Sequence, residues 1–449
     1  MCAECHDHKY DPVTARDFYA LGAFFADIEE KYVGSRGKGT VVATDEEKAK
    51  LKELDDKLAA FKDRDDKDQE KAAAKKARDD YQNRRTHCLV TVTTPNFRTV
   101  RVLPRGDWQS TGGEVMLPAT PKFLPGAIGS SQDKRLNRHD LAQWLVAKQN
   151  PLTARVVMNR LWKLFYGSGL VKTLDDLGTQ SEMPAHQALL DWLACEFMDS
   201  GWDLRHMIRF MVTSETYARS SAATPEMLAR DPQNREFARG GRWRLDAEFL
   251  RDNALLISGL LVQRTGGPSV KPWQPRGYWE NLNFPTRERE NSPDDNLYRR
   301  GLYTWWQRSY VHPAMLALDA PTREECAPDR TRSNIPQQAL VLLNDTQFVE
   351  AARAFAARIL KEGGSDDGAK LRWAWNQATQ REPTAAEAET LAALLGKHRA
   401  AFHLRPAEAA AALKQGRVPA VEGVPDNELA AWLSVSRVIL NLHETITRS

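Results

Sequence analysis

From about Asp133 onward, apolar side chains recur every three or four residues in one segment after another, and Gly, Pro or a capping residue punctuates each run. That period gathers the apolar side chains into one stripe of a helix, and many such stripes in one chain must bury one another. Most of the 449 residues are thereby committed to a mainly α, multi-helix architecture. Asn150-Pro151 breaks one helix; Thr153 can cap the next, which runs to Tyr166 and stops at Gly167. Pro184 suits the first turn of another, with Leu189, Leu190, Leu193 and Phe197 inward and Gly201 at its end. Asp203 caps a third carrying Leu204, Met207, Ile208 and Met211. A fourth spans Leu245 to Leu261 and is closed by Gly266-Gly267-Pro268. Asn334 and Pro336 open a long helical run to about Lys361. Three helices follow, one opened by a Thr384/Glu387 capping box. The last, Asn427 to about Ile446, buries Leu429, Trp432, Val435 and Ile439.

Ahead of residue 133 the pattern differs. Residues 33–40 form a Gly-rich linker. Between Asp45 and Arg85 there are thirteen acids and thirteen bases. Leu51, Leu54, Leu58 and Phe61 keep a heptad-like spacing that Asp65 and Asp68 then break, so this stretch reads as a charged helical arm, solvated on most faces. From Leu89, the alternating runs LVTVTT and FRTVRVL flank Pro95-Asn96 and predict a small β-hairpin or strip. Arg105-Gly106-Asp107 reads as a tight turn. The expected divisions are 1–33, 34–86, 87–132 and 133–449, with a sub-boundary near 333.

Sixty-three basic and sixty acidic side chains leave a net charge of +3. That balance argues against a nucleic-acid binder, which concentrates basic charge on one stripe. No apolar run approaches 18 residues, so no membrane span is expected. Met1 is followed at once by Cys2, with no basic and apolar regions of an export signal. Five cysteines cannot all pair, and the chain is not a disulfide scaffold. The signatures H-E-x-x-H, G-x-S-x-G and G-x-x-x-x-G-K-[ST] are missing, as is a G-x-G-x-x-G after a strand.

Residues 2–6 read CAECH, the C-x-x-C-H spacing of c-type haem attachment. Two thiols so placed add to the two vinyl groups of a porphyrin, and the adjoining imidazole lies under the iron as an axial ligand. Random placement of this composition gives such a match in about one chain in a thousand. A zinc site using Cys2, Cys5 and His6 or His8 needs a fourth ligand, and no second cysteine pair supplies it in the usual way. Two ordinary thiols are the remaining reading.

The run CAECHDHKYDP, leading into an aromatic-rich helix from Thr14 to about Ile28, resembles the closing segment of the planctomycete-type cytochrome c family. Thr14 and Asp17 make a capping-box-like pair, and Phe18, Leu21, Phe25 and Ile28 recur on one face. The resemblance extends over about 97–449, through RLNRHDLAQWLVAKQNPLTARVVMNRLWKLFYGSGLV, RWRLDAEFLRDNALLISGLL, DDNLYRRGLYTWWQR and DAPTREECAPDRTRSNIPQQALVLLND, to that family's associated helical region of uncharacterised function. It implies covalent haem c on Cys2 and Cys5, His6 as axial metal ligand, a redox partner protein, and a periplasmic or extracellular location for the full-length parent. Most of the cytochrome-like domain would precede Cys2, so the sequence is read as N-terminally truncated. Among distal-ligand candidates, His139, His186, His206, His312, Met158, Met183 and Met207 are equally eligible.

Three further constellations carry chemistry. Nine aromatics lie between Trp273 and Tyr310, including Trp273, Trp279, Trp305 and Trp306, interleaved with Arg276, Arg287, Arg299, Arg300 and Arg308. Indole faces stack on sugar rings and guanidinium forks hold carboxylate or sulfate, so an anionic polysaccharide is the ligand such a belt suits; packing between helices uses the same residues. Arg244, Glu248 and Arg251 share a helical face with Asp246 and Asn253 beside it, a pattern that reads as buried ion-pair scaffolding. Asp319 to Asn334, with Arg330, Arg332 and Cys326, forms a polar loop entering a helix, where an anion or a capped loop fits equally. The readings are thus a c-type haem protein in electron transfer or redox chemistry, a module or enzyme acting on anionic polysaccharide, and a helical remnant with neither activity.

Overall fold

The computed structural model describes residues 2–29, 39–61, 68–131, 133–274, 277–278, 291–307, 310–418 and 422–448. The fold is mainly α with small antiparallel strand pairs, and the chain forms two compact units, Met1–Thr153 and Ala154–Ser449.

The first unit opens with a single helical turn, α1 (Cys2–Cys5), followed by α2 (Ala15–Gly22). The Thr14/Asp17 box is present: Thr14 Oγ1 accepts from the Asp17 N–H at 3.1 Å, and Asp17 Oδ2 accepts from the Thr14 N–H at 3.0 Å. The helix ends at Gly22 and tightens into a 3-10 turn over Ala23–Phe25. Tyr19, Ala20, Ala23 and Phe24 keep i, i+4 spacing and form the buried stripe, one position from the expected one, whereas Phe25, expected inside, is 46 % exposed.

The charged arm is a helical hairpin. Strand β1 (Thr40–Val42) leads into α3 (Asp45–Ala59), and α4 (Gln69–Asn83) returns to β2 (Thr86–Cys88). The strands pair antiparallel with Thr40 opposite Cys88 and close the base of the hairpin. Neither helix buries a residue; they are tied by Arg85 to Glu47 at 2.7 Å and Arg78 to Asp55 at 2.8 Å. The hairpin expected between residues 89–94 and 97–103 does not form. The N–H of Thr94 and of Arg98 instead donate to Asp27 O and Ala26 O, and Glu29 N–H donates to Val92 O. With its backbone satisfied by residues 26–29, the 92–98 stretch has no need of its neighbour. Strand β3 (Val100–Arg101) pairs with β4 (Val115–Met116). Helix α5 (Arg138–Leu145) places Leu141 and Trp144 against Phe24, so the first unit reaches past the boundary expected near 133.

The second unit contains two apolar cores. In the first, α6 (Thr153–Tyr166), α7 (Gln187–Asp199) and α8 (Leu204–Val212) bury Met158, Trp162, Leu193, Phe197, Met207 and Met211. The cap of α6 is Asn150, whose Oδ1 accepts from Leu152 and Thr153 N–H groups. Leu204, expected inside, is 47 % exposed. After the short α9 (Pro225–Arg230), strand β5 (Trp243–Arg244) leads into α10 (Ala247–Ser258). Helix α10 stops at Gly259 with φ +78°, earlier than the Gly266-Gly267 pair.

The larger core is built on α13 (Thr346–Glu362), which follows α11 (Pro313–Ala317) and α12 (Pro336–Asn344). Asp345 divides the single run expected over 336–361: its extended backbone ends α12, and its carboxylate caps α13 by accepting from Gln347 N–H. Then come α14 (Asp367–Thr379), α15 (Ala385–Leu404), α16 (Pro406–Ala412) and α17 (Asp426–Leu440). Helix α17 packs on α13 and α15, and α10 packs on α13. Leu429, Trp432, Val435 and Ile439 are all buried, as their spacing predicts. A last turn, α18 (His443–Ile446), leads to β6 (Thr447–Arg448), which pairs antiparallel with β5.

Candidate cofactor-attachment turn and the polar belt

Cys2, Cys5 and His6 stand together on α1 and its continuation. His6 N–H donates to Cys2 O at 3.1 Å, so His6 extends the turn begun by the two cysteines. All three side chains are exposed. Tyr19 anchors the turn to α2 by donating its hydroxyl to Glu4 O at 2.8 Å, and burial raises the pKa of that hydroxyl. Asp7 Oδ1 accepts from Ala15 N–H at 2.7 Å and fixes the loop after it. His6 Nδ1 lies 2.7 Å from Asp7 O. A carbonyl oxygen only accepts, so a neutral ring makes this contact with the proton on Nδ1, the tautomer that leaves Nε2 free to bind a metal. Among the described residues no group of three or more His, Cys, Asp or Glu is placed to hold a bare metal ion. Two side-by-side thiols with a neighbouring imidazole suit attachment around a porphyrin rim, whereas a tetrahedral zinc site needs four converging ligands.

Sequence reasoning passed over Gly106 at this turn. The Pro104–Gly106 segment is a 3-10 turn with Arg105 at φ 54° and Gly106 at φ +74°. A Cβ on Gly106 would stand 2.7 Å from Cys5 Sγ. The close approach has no sequence signal beyond the Arg-Gly-Asp turn itself.

The aromatic–arginine belt is tied into the second unit. The Trp273 indole donates to Glu350 at 2.6 Å, and Arg417 lies 5.2 Å over its ring. Trp305 has Lys271 Nζ 5.2 Å from its centroid. Trp306 has Arg323 at 3.9 Å over one face and donates to Thr322 O at 3.1 Å. Arg299 is 1 % exposed, lies over Tyr303, and donates to the carbonyls of Pro268, Arg264 and Gly266. It is a strut of the fold. Arg300 pairs with Asp252 at 3.4 Å. Trp279 and Arg308, with Arg276 and Arg287, lie outside the described residues.

Arg244, Glu248 and Arg251 do not form one helical face, because Arg244 belongs to β5. Glu248 instead holds Arg330 through both oxygens, at 2.6 and 3.2 Å, with Arg323 at 3.5 Å. Burial pushes the Glu248 carboxyl up, but Arg330 outweighs it and holds the group below the usual carboxylate range. Asp246 takes Arg332 at 3.4 Å. Arg251 donates to Gln347 Oε1, Arg299 O and Leu297 O, and its burial lowers its pKa to about 10. Burial raises the Asp252 and Asp345 carboxyls. In the loop from Asp319 to Asn334, the anion is the chain's own Asp319. It accepts from Arg244 at 2.5 Å, from Ser333 N–H and Oγ at 2.7 and 2.8 Å, and from Gln338 at 3.1 Å. Cys326 is exposed. Met158 and Met207 are fully buried in the apolar core, and His312 is 4 % exposed.

No curated protein and no solved structure matches the chain. A family model described as PSCyt2, protein of unknown function (DUF1549), matches residues 1–30. The model described as PSD1, protein of unknown function (DUF1553), matches residues 137–395, more than half of the sequence, and the chain belongs to that family.

Proposed function

We propose that residues 2–6 are the attachment turn for a c-type haem and that the protein serves electron transfer or other redox chemistry outside the cytoplasm. The reading rests on one observation: a single exposed helical turn presents Cys2 and Cys5 side by side, with His6 next to them and its Nδ1 2.7 Å from Asp7 O. Cys2 and Cys5 would hold the porphyrin edge through thioethers and His6 would hold the iron; the group supplies a one-electron couple when bound. Tyr19, through Glu4 O, and Asp7, through Ala15 N–H and His6, keep the turn in place. Trp108, just after the Gly106 turn, is 80 % exposed and offers apolar surface in the same unit. The extracytoplasmic assignment follows from the same chemistry, because c-type attachment takes place where thiols meet haem outside the reducing cytosol.

The test is pyridine haemochrome spectroscopy of protein matured in a periplasm competent for c-type haem attachment. The expected result is covalent haem with the spectrum of two thioethers, a shifted band for Cys2→Ala or Cys5→Ala, and none for the double substitution. Absence of covalent haem overturns the reading.

A further inference from the structure

Three adjoining cavities in the second unit share walls. The smallest, about 150 Å³, is lined by Lys172 and Arg235. Ser168 and Gln233 are common to it and to a polar cavity of about 290 Å³ that adds Arg239 and Arg242. Arg242 and Trp243 are common in turn to that cavity and to a cleft of about 1010 Å³ containing Arg332 and His443. Among the described residues, the walls of all three carry no Asp or Glu.

Part of this charge is neutralised from outside the walls. Glu182 pairs with Arg235 at 3.2 Å, Asp246 with Arg332 at 3.4 Å, and Asp319 with Arg244 in the floor. Lys172, Arg239 and Arg242 are different: among the described residues none has a carboxylate within ion-pair distance, although Arg239 is near enough to Asp231 to help lower that carboxyl's pKa. Arg242 Nη2 lies 2.9 Å from His443 Nδ1. Arg239 leaves Nη1 buried without a hydrogen-bond partner. An excess of positive charge is thus spread over three successive cavities rather than gathered at one point, which suits a chain of anionic groups better than a single anion.

The lining between the bases consists of short hydroxyl and amide side chains, among them Ser168, Ser221, Gln233, Asn334 and Asn441. These match the donor and acceptor pattern of sugar hydroxyls. Single-stranded nucleic acid is bound by stacking bases on open aromatic faces. Here Trp243 has Arg448 at 4.9 Å and Arg332 at 6.0 Å over its ring, and Tyr166 is stacked on Trp162 at 3.9 Å. We propose that this groove binds a linear acidic oligosaccharide, its carboxylate or sulfate groups placed along Lys172, Arg239 and Arg242. The site shares no residue with the attachment turn and stands independently of the haem reading.

The experiment is affinity electrophoresis of the full chain through gels containing oligogalacturonate, dextran sulfate, neutral dextran or oligo-dT. Retardation by the carboxylated or the sulfated glycan, and none by dextran, is expected; which of the two acts identifies the acidic group. Lys172→Ala combined with Arg242→Ala removes two charges from the groove and should weaken retention about tenfold. Lys50→Ala with Lys57→Ala removes the same charge from the exposed arm and should change nothing. Far-UV circular dichroism establishes that both double variants remain folded. The proposal is overturned by mobility unaffected by either acidic glycan, by equal losses in the two double variants, or by tighter retention on oligo-dT than on both glycans.

Discussion

The carboxylate of Glu350, 1 % exposed, accepts from the Trp273 indole, the Tyr298 hydroxyl and the backbone N–H groups of Arg417 and Val418. Four donors from three separate segments meet on one side chain, and burial together with the Glu350 charge raises the Tyr298 pKa. Glu350→Gln turns an acceptor oxygen into an NH2 that faces donors, and a buried donor left unmatched costs about 1–3 kcal/mol. The expected outcome is a lower urea midpoint with a change in tryptophan emission as Trp273 loses its partner. Gly416 adds a second check at this locus. Its φ is +83°, and a Cβ there would stand 2.3 Å from Glu350 Cδ, so Gly416→Ala should destabilise the same region by at least as much, read by the same unfolding curves. Neither residue is visible to motif reading. Glu350 sits on a helix of mixed polarity, and its partners lie 52 to 77 positions away. The groove bases were missed for the same reason: Lys172 stands far before Arg239 and Arg242 in sequence, and the three come to adjoining cavities only through tertiary structure.

Helix ends were the most legible elements, because capping chemistry is local. Thr14, Asp203 and Thr384 cap as their types and spacing predict. Where the expectation slipped, a local device had a competitor. The inward face of α2 lies one position from the expected stripe, on Tyr19, Ala20, Ala23 and Phe24, and the 336–361 run split because Asp345 caps better than it continues a helix. Strand pairing was the least legible, since the β-branched 89–94 run found its partners in residues 26–29. The capping box of α15 offers a quantitative test. Thr384→Ala should cost about 1 kcal/mol. Glu387 also meets Arg381 through both oxygens, at 2.9 and 2.8 Å, and the Arg381 hydrogen bond, ahead of the Thr384 N–H, lowers its pKa from 4.5 to about 2. A folded pKa below the unfolded value gives stabilisation that is complete above about 4.5 and lost as pH falls through about 2. The wild-type advantage over Glu387→Gln in urea unfolding should therefore be constant near neutrality and shrink as pH drops through that window. A difference that persists undiminished at the acid end would show that the charge is not what Glu387 contributes.

At the scale of the whole chain, composition was a poor guide. The net charge of +3 is a sum over a nearly neutral arm and a second unit in which three adjoining cavities carry bases with no lining acid among the described residues. The mainly α architecture was readable because helical periodicity needs no partner to be seen. The division into units was not, because α5 carries the same periodic signal as the helices after it yet puts Leu141 and Trp144 on Phe24. What defines the second unit is possession of its own cores: one around Met158, Leu193 and Met207, the other around Phe355, Trp432 and Ile439, all fully or nearly fully buried. Cores of this kind, with β5 and β6 pairing residues some 200 apart, need no side chain from residues before Asn150 to be complete. A fragment beginning at Asn150, which keeps the cap of α6, should therefore be helical by circular dichroism and unfold cooperatively. Within it, Ile439→Ala removes a side chain with no exposure and should lower stability by about 2–5 kcal/mol. The same substitution in the full chain should lower the unfolding of this unit by a similar amount. A fragment that is helical but melts without a cooperative transition would mean that the second unit draws part of its specificity from the first.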